Sequence, residues 1–324
     1  MTINRKADAP LPVRWLRAVA RYFDNDTAEQ DNDVGNEDPR KIDWVQAIPF
    51  LTLHVACLAV FWVGWSWIAV ATAVFLYAVR MFAITGFYHR YFSHRTFKTS
   101  RFSQFLFAAL GNSAVQRGPL WWAAHHRLHH RHADQEGDAH SPDRDGFLWS
   151  HFLWFLTKGH FPTEMSVVRD LAKYKELRFL DRFDVLIPIM LGALTFMFGA
   201  VLNLVAPSLG TSGLQMLVWG FCISTVACSH ATYTINSVSH LIGRRRYATK
   251  DTSKNNWFLA ILTFGEGWHN NHHHYCASAR QGFFWWEIDL TYYTLKMLSW
   301  LGIVWDLRPV PAHAKYAHRD SPKA

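Results

Sequence analysis

Apolar residues fall in two long blocks separated by polar, histidine-rich sequence. The first block runs from Ala47 to about Ala83. That is too long for one membrane crossing and suits two, at about 20 residues each. Its break falls near Gly64-Trp65-Ser66, where there is no charge. The second block is again a pair, Val185–Ala206 and Leu214–Ser237, joined by the uncharged Pro207-Ser208-Leu209-Gly210-Thr211-Ser212-Gly213. The pattern predicts an all-α, integral membrane protein with four transmembrane helices in two hairpins, about 47–64, 66–88, 185–206 and 214–237. Residues 89–184 and 238–306 then form a helical cap, so that 44–306 is one membrane domain. Phe102–Val115, Phe147–Leu156 and Phe283–Leu301 are apolar but short or rich in Trp and Tyr, as helices at headgroup depth are. Residues 1–43 read as a polar, mobile tail with a short amphipathic piece at Val13–Phe23, and 307–324 as a second tail.

Charge orients these spans. Arg90, Arg95, Lys98 and Arg101 follow the first pair, Arg244, Arg245 and Arg246 follow the second, and both loops within the pairs lack Lys and Arg. The positive-inside rule then places both termini and the cap in the cytoplasm. It also accounts for the net charge of +8 without nucleic acid. Cys57, Cys222, Cys228 and Cys276 lack the spacing of a zinc finger or redox motif and read as free thiols. No cleavable signal pattern opens the chain.

Histidines change the picture. They gather as His89 and His94; His126, His129 and His130; His240, four residues after Asn236; and His269, His272 and His273. All lie on the predicted cytoplasmic side. Positions i, i+3 and i+4 share a helix face, so each triplet is expected to aim at one point. His89 and His94 would splay by about 140° on a continuous α-helix, so a break is expected between them. One such histidine alone is most simply a hydrogen-bonded imidazole, but four groups on one side point to metal. The groups contain no thiolate, which argues against structural zinc. Nine imidazoles exceed the needs of one ion and suit two, and iron and copper both fit by ligand type.

In order, His89-x-x-x-x-His94, His126-Arg127-Leu128-His129-His130, Asn236-Ser237-Val238-Ser239-His240 and Gly265-Glu266-Gly267-Trp268-His269-Asn270-Asn271-His272-His273 resemble the boxes of membrane fatty-acyl desaturases, in particular the Δ9, stearoyl-type enzymes. Arg90-Tyr91-Phe92-Ser93-His94-Arg95 and Gly118-Pro119-Leu120-Trp121-Trp122 are further runs of that kind. The resemblance covers roughly Gly86–Ala279, and the span layout extends it to Ala47. It implies a cap holding two irons (Fe), with His89, His94, His126, His129, His130, His240, His269, His272 and His273 as ligands and Asn236 acting through a water. His125, His132 and His274 fall off the motif positions and are expected behind the ligands or at the surface. The implied reaction is O2-dependent removal of two hydrogens from neighbouring methylenes, giving a cis double bond. Its Δ9 position rests on resemblance alone. The cofactor carries that chemistry, and the protein supplies a tunnel. Trp122 and Trp268 are expected to line it. Among the nearby carboxylates Asp134, Glu136, Asp138 and Glu266, the last is expected to hold the outer N–H of a ligating histidine.

The implied substrate is a fatty-acyl thioester or acyl lipid. Animal relatives carry Arg-Asp just before the second box, where this chain has Ala124-His125, which leaves the carrier open between acyl-CoA, acyl-carrier protein and phospholipid. Lys173, Lys175, Arg178 and Arg244–Arg246 suit a phosphate-bearing carrier or anionic headgroups of the lipid bilayer. The terminal regions are too short for a cytochrome b5-like haem domain. Electrons are therefore expected from a separate ferredoxin, rubredoxin or flavin reductase, and the location is expected to be a bacterial inner membrane. A diiron hydroxylase or other oxygenase is the nearest rival. A histidine-lined metal transporter would place its histidines inside the spans, where of all the histidines only His54 and His230 lie, the clusters being outside.

Overall fold

A computed structural model describes residues 10–27 and 38–317. The N-terminal helix α1, Leu11–Phe23, matches the amphipathic piece expected at Val13–Phe23 in a tail expected to be mobile, of which 1–9 and 28–37 lie outside the described residues. It is instead pinned by distant polar partners. Arg21 pairs with Asp43 at 3.0 Å, Asn25 donates to the Asp181 carbonyl at 2.7 Å, and Arg182 meets Asp24 at 2.6 Å.

Among the described residues, four helices are long and apolar enough to cross a membrane: Trp44–Val63, Trp67–Ser93, Leu186–Val205 and Gly213–Leu241. The first is mainly α2, Trp44–Cys57, whose start is capped by the Asp43 carboxylate accepting from Val45 N. Gly64, at φ +64°, reverses the chain in open space. Ser66 then caps α3, Trp67–Phe82, by accepting from Ala69 N. α3 continues as a π-helix, Ala83–Ser93, in which every residue is buried. This overturns the expected break between His89 and His94. A π turn closes residue i onto i+5, and His94 N accordingly donates to the His89 carbonyl at 3.2 Å. The wider turn returns His94 to the side of His89 while the backbone stays helical.

The cap builds on α4, Arg101–Asn112, α5, Pro119–His132, and α6, Lys175–Arg182. The third span is α7, Leu186–Val205. The fourth opens with an α-helical turn, Gly213–Met216, passes through a π-helix, Leu217–Ile223, continues as α8, Ser224–Asn236, and ends in the turn Val238–Leu241. Gly199 of α7 lies so close to this span that an added Cβ would sit 2.4 Å from the Ser212 carbonyl. Spans two and four are joined by buried Arg80, which donates to Thr225 Oγ1 at 2.5 Å, to the Ser224 hydroxyl and to the Ser113 carbonyl at 3.4 Å. A charge at this depth persists only with such partners. Two further helices, α9, His269–His274, and α10, Leu290–Trp300, complete the cap.

The cap's apolar centre joins the π-helix to α4, α5 and α6 through Phe87, Tyr88, Phe92, Phe107, Leu120, Leu177 and Leu180. Phe87 and Phe107 stack at 3.6 Å between ring centroids. Each such fully buried side chain contributes about 1.5–3 kcal/mol. The chain is tied in just before the segment expected to be a C-terminal tail and again at its described start, while 318–324 lie outside the described residues. Strand β1, Lys98–Thr99, pairs antiparallel with β2, Val304–Trp305, and Arg308 N donates to the Thr96 carbonyl at 2.9 Å.

Candidate metal centre

Helix α5 starts at Pro119, with the Asp181 carboxylate accepting from Leu120 N and Trp121 N, each at 2.9 Å. This cap aims the histidine end of α5 at α9 and the π-helix. The rings gather in two groups: His89, His94, His126, His130 and His272, then His129, His240, His269 and His273. Within each group one ring nitrogen per residue lies within 4.8 Å of the others. The triplets therefore do not each aim at one point. On a helix, i+4 falls about 40° to one side of i and i+3 about 60° to the other. His126 and His130 thus join the first group and His129 the second. On α9, His269 and His273 join the second and His272 the first.

Carboxylates set the tautomers. His129 Nδ1 lies 3.0 Å from Asp138, His240 Nδ1 lies 2.9 Å from Asp134, His273 Nδ1 lies 3.0 Å from Asp251, and His89 Nδ1 is paired with Glu266. Ionised carboxylates only accept, so each Nδ1 carries the hydrogen and each Nε2 presents a lone pair inward. His272 Nε2 meets His89 Nε2 at 3.0 Å and His130 Nε2 at 2.9 Å, yet owns one hydrogen at most. His240 Nε2 faces His269 Nε2 at 3.1 Å, and His273 Nε2 is buried with no hydrogen-bond partner. Inward lone pairs in such number are what a cation satisfies. The donor set fits a nitrogen-ligated transition metal.

Protonation agrees. Burial, reinforced by neighbouring imidazoles, holds His94, His126, His130, His269 and His272 well below the ordinary imidazole value. His273 is held at about 4, burial outweighing Asp251. Burial would raise the carboxyls of Asp134, Asp138, Asp251 and Glu266, but their histidine partners, with Arg90 at Glu266, hold all four low. His129 goes the other way: burial lowers it, but the Asp138 carboxylate outweighs burial and raises it.

Sequence reasoning named Glu266, Asp134 and Asp138 as nearby carboxylates, and each backs a histidine. It missed Asp251, whose 22-residue separation from His273 leaves no local spacing to read. Glu136 is exposed. Of the off-motif histidines, His125 is enclosed and its pKa is held at about 3 by burial, His132 is half-buried, and His274 stacks on Tyr247 at 4.1 Å.

A cavity of about 660 Å³ lies between α2, α7, the fourth span and the cap. Its apolar walls include Phe50, Leu53, Ile189, Phe196, Leu217 and Phe221, and it reaches Trp122, His126 and Asn236. A smaller space of about 40 Å³ touches both histidine groups through His89, His126, His129 and His269. Trp122, His126, Thr232 and Asn236 line both spaces. Trp122 also stacks on His126 at 5.0 Å. Trp268 lines neither, and its indole donates to the Ile288 carbonyl at 2.8 Å.

An apolar cavity that shares a wall with a small space between two imidazole clusters is a setting for oxidation of a long hydrocarbon. The model of the fatty acid desaturase family matches residues 65–297. The chain belongs to this family. It is a fatty-acyl desaturase, an oxidoreductase. This desaturase is 37% identical over 273 residues to the sn-1 stearoyl-lipid 9-desaturase of Anabaena variabilis, covering 83% of this chain and 94% of that one. It is 36% identical over 272 residues to Delta-9 acyl-lipid desaturase 1 of Arabidopsis thaliana, covering 83% and 84%. An acyl-CoA 5-desaturase of Anemone leveillei is 40% identical over 222 residues, covering 67% of this chain and 65% of that protein.

Proposed function

We propose that this desaturase holds two iron ions, one in each histidine group, and introduces a cis double bond at the Δ9 position of a saturated chain carried by a membrane lipid. The observation that carries the reading is the pair of inward-facing imidazole clusters on one apolar cavity. The Δ9 position and lipid carrier are supported by the two acyl-lipid relatives, which align over most of this chain. His89, His94, His126, His130 and His272 are the proposed ligands of one iron. His129, His240, His269 and His273 are those of the other, with Asn236 acting through a water. When bound, the irons supply the oxidising power that an unactivated methylene requires.

The chain's own residues do the rest. The cavity walls hold the acyl chain extended and dry, and Trp122 presses it toward the small space between the clusters. Asp134, Asp138, Asp251 and Glu266 hold Nδ1–H in place, which fixes ring orientation and strengthens the opposite nitrogen as a donor to metal. The overall change consumes O2, two electrons and two protons and releases two waters. The electrons come from a separate ferredoxin, rubredoxin or flavin reductase type of donor. Arg and Lys flanking the spans favour a cap and termini in the cytoplasm, at a bacterial inner membrane.

The test is fatty-acid methyl-ester analysis, with double-bond derivatisation, of desaturase-deficient cells expressing the chain or its His129→Ala, His130→Ala variant. A cis-9 monoene only with the intact chain is expected. A monoene at another position overturns Δ9, and a hydroxy acid overturns desaturation in favour of the oxygenase rival. A purified chain that binds no iron overturns the metal assignment.

A further inference from the structure

Two histidines inside the spans, His54 of α2 and His230 of α8, take no part in either cluster. They form a row with a third, His151, from the π turn Trp149–Leu153 of the cap. His54 Nδ1 lies 2.7 Å from the Phe50 carbonyl, and His54 Nε2 lies 2.9 Å from His230 Nε2. His230 Nδ1 lies 3.0 Å from His151 Nε2, and His151 Nδ1 lies 2.9 Å from Ser237 Oγ. His230 spends its two nitrogens on different neighbours, so the three rings do not converge on one ion. They make a hydrogen-bonded row.

Its direction follows from one end. A carbonyl only accepts, so His54 donates from Nδ1 and its Nε2 is a lone pair. His230 must donate to that lone pair from Nε2, and His151 must donate from Nε2 to His230 Nδ1. His151 Nδ1 is then an acceptor, and the Ser237 hydroxyl must donate to it. That hydroxyl also lies 3.0 Å from the Tyr233 carbonyl, four residues back. Serine in a helix makes this back-bond by default, and it bends helices. Its single hydrogen serves one partner, and the row assigns it to His151.

Ser237 is where α8 stops, at φ −108° and ψ −71°. Asn236, on one side of it, lines both cavities, and His240, on the other, belongs to the second cluster. The same cap segment grips the kink again, since Ser150 Oγ donates to the Asn236 carbonyl at 2.7 Å.

We propose that His151 is a positioning residue for the second cluster: it draws the Ser237 hydroxyl off the helix, and so fixes the kink from which Asn236 and His240 are presented. His230 and His54 fix the tautomer that lets it do so. The proposal rests on the two-iron reading above.

Two substitutions in the full-length chain, loaded with iron-57, separate this role from simple bracing. In His151→Asn the amide oxygen stands near the place of Nδ1, keeping the link to Ser237 and losing His230. In His151→Gln the amide nitrogen reaches the place of Nε2, keeping His230 and losing Ser237. Mössbauer spectra resolve inequivalent irons as separate doublets. Expected are native-like doublets and kcat for His151→Asn. For His151→Gln, one altered doublet is expected, with kcat down about tenfold at little change in KM, the scale seen when a group behind a metal ligand is lost. Ser237→Ala, which leaves all three rings in place, should reproduce the glutamine spectrum and carries the test if His151→Gln does not fold. The reverse order, or two native spectra, overturns the proposal and leaves the row a brace between spans. A native chain that takes up no iron overturns the two-iron reading, and the proposal with it.

Discussion

Glu266 pairs with His89 Nδ1 through one carboxylate oxygen while Arg90, the next residue of the π-helix, holds the other at 3.2 Å. Gln281 adds a third hold, donating to Glu266 Oε2 at 2.9 Å. Removing the carboxylate frees the ring and leaves a buried guanidinium partly uncompensated. Glu266→Ala is expected to weaken metal binding at the first cluster roughly 10–100-fold. Competition with a chelator of known affinity measures it, and unchanged retention of both metals would sink the assignment.

The division of the triplets makes a separable prediction. His94→Ala removes a ring from the first cluster alone and His269→Ala from the second alone. On the proposed two-iron reading, each variant should retain about one metal per chain against two in the native protein, with activity lost in both. Metal analysis of detergent-purified protein that finds both ions lost together in each case would mean one cooperative centre.

Asp181 gives a pH dependence. Burial pushes its carboxyl up to about 7 from an ordinary value of 3.8. Between these values the folded state keeps a proton that the unfolded state has released. This contribution is therefore full below about pH 4 and is lost as pH rises through about 7, by at most on the order of 4 kcal/mol. Asp181→Asn keeps an acceptor for Leu120 N and Trp121 N and should flatten the fall in Tm between those limits. An identical slope in the variant would refute the cause.

Gly192 lies on the cavity wall, where an added Cβ would make ordinary contacts of 3.7 Å with Leu217 and Phe221. Gly192→Leu should fold and shorten the space for an acyl tail. Product profiles are expected to move toward shorter chains, with turnover of the longest falling several-fold. A profile unchanged from the native enzyme would place the tail elsewhere.

Gly267 is tight against backbone: a Cβ there would sit 2.1 Å from Ala260 N and 2.4 Å from the Asn256 carbonyl. Neither atom yields as a side-chain tip does. Gly267→Ala is expected to cost about 1–3 kcal/mol and to lower Tm measurably. A Tm equal to the native value would show that this loop is slack.

The spans were legible because a crossing helix has only to match bilayer thickness, and composition over about 20 residues reports that. His89 and His94 misled because α-helical geometry was assumed, and nothing in Gly86–Ser93 announces a π-helix. The triplets pointed to a histidine cluster fit for metal but not to its division, which depends on how α5 and α9 face each other. Asp251 and His151 were invisible for one reason: each meets its partner across the fold, with no spacing in the chain to record it. α1 was legible as an amphipathic piece, but its anchoring was not, since Asp43, Asp181 and Arg182 hold that segment from far along the sequence.

The membership of the two clusters also carries an order in time. Four of the five rings in the first cluster lie before residue 131, while three of the four in the second lie from residue 240 onward. A ribosome therefore delivers most of one centre before the second hairpin exists. His269–His274 then completes both in a single helical segment. A nascent chain stopped short of it carries four rings of the first cluster and two of the second, so the last apolar span is made before either cluster closes.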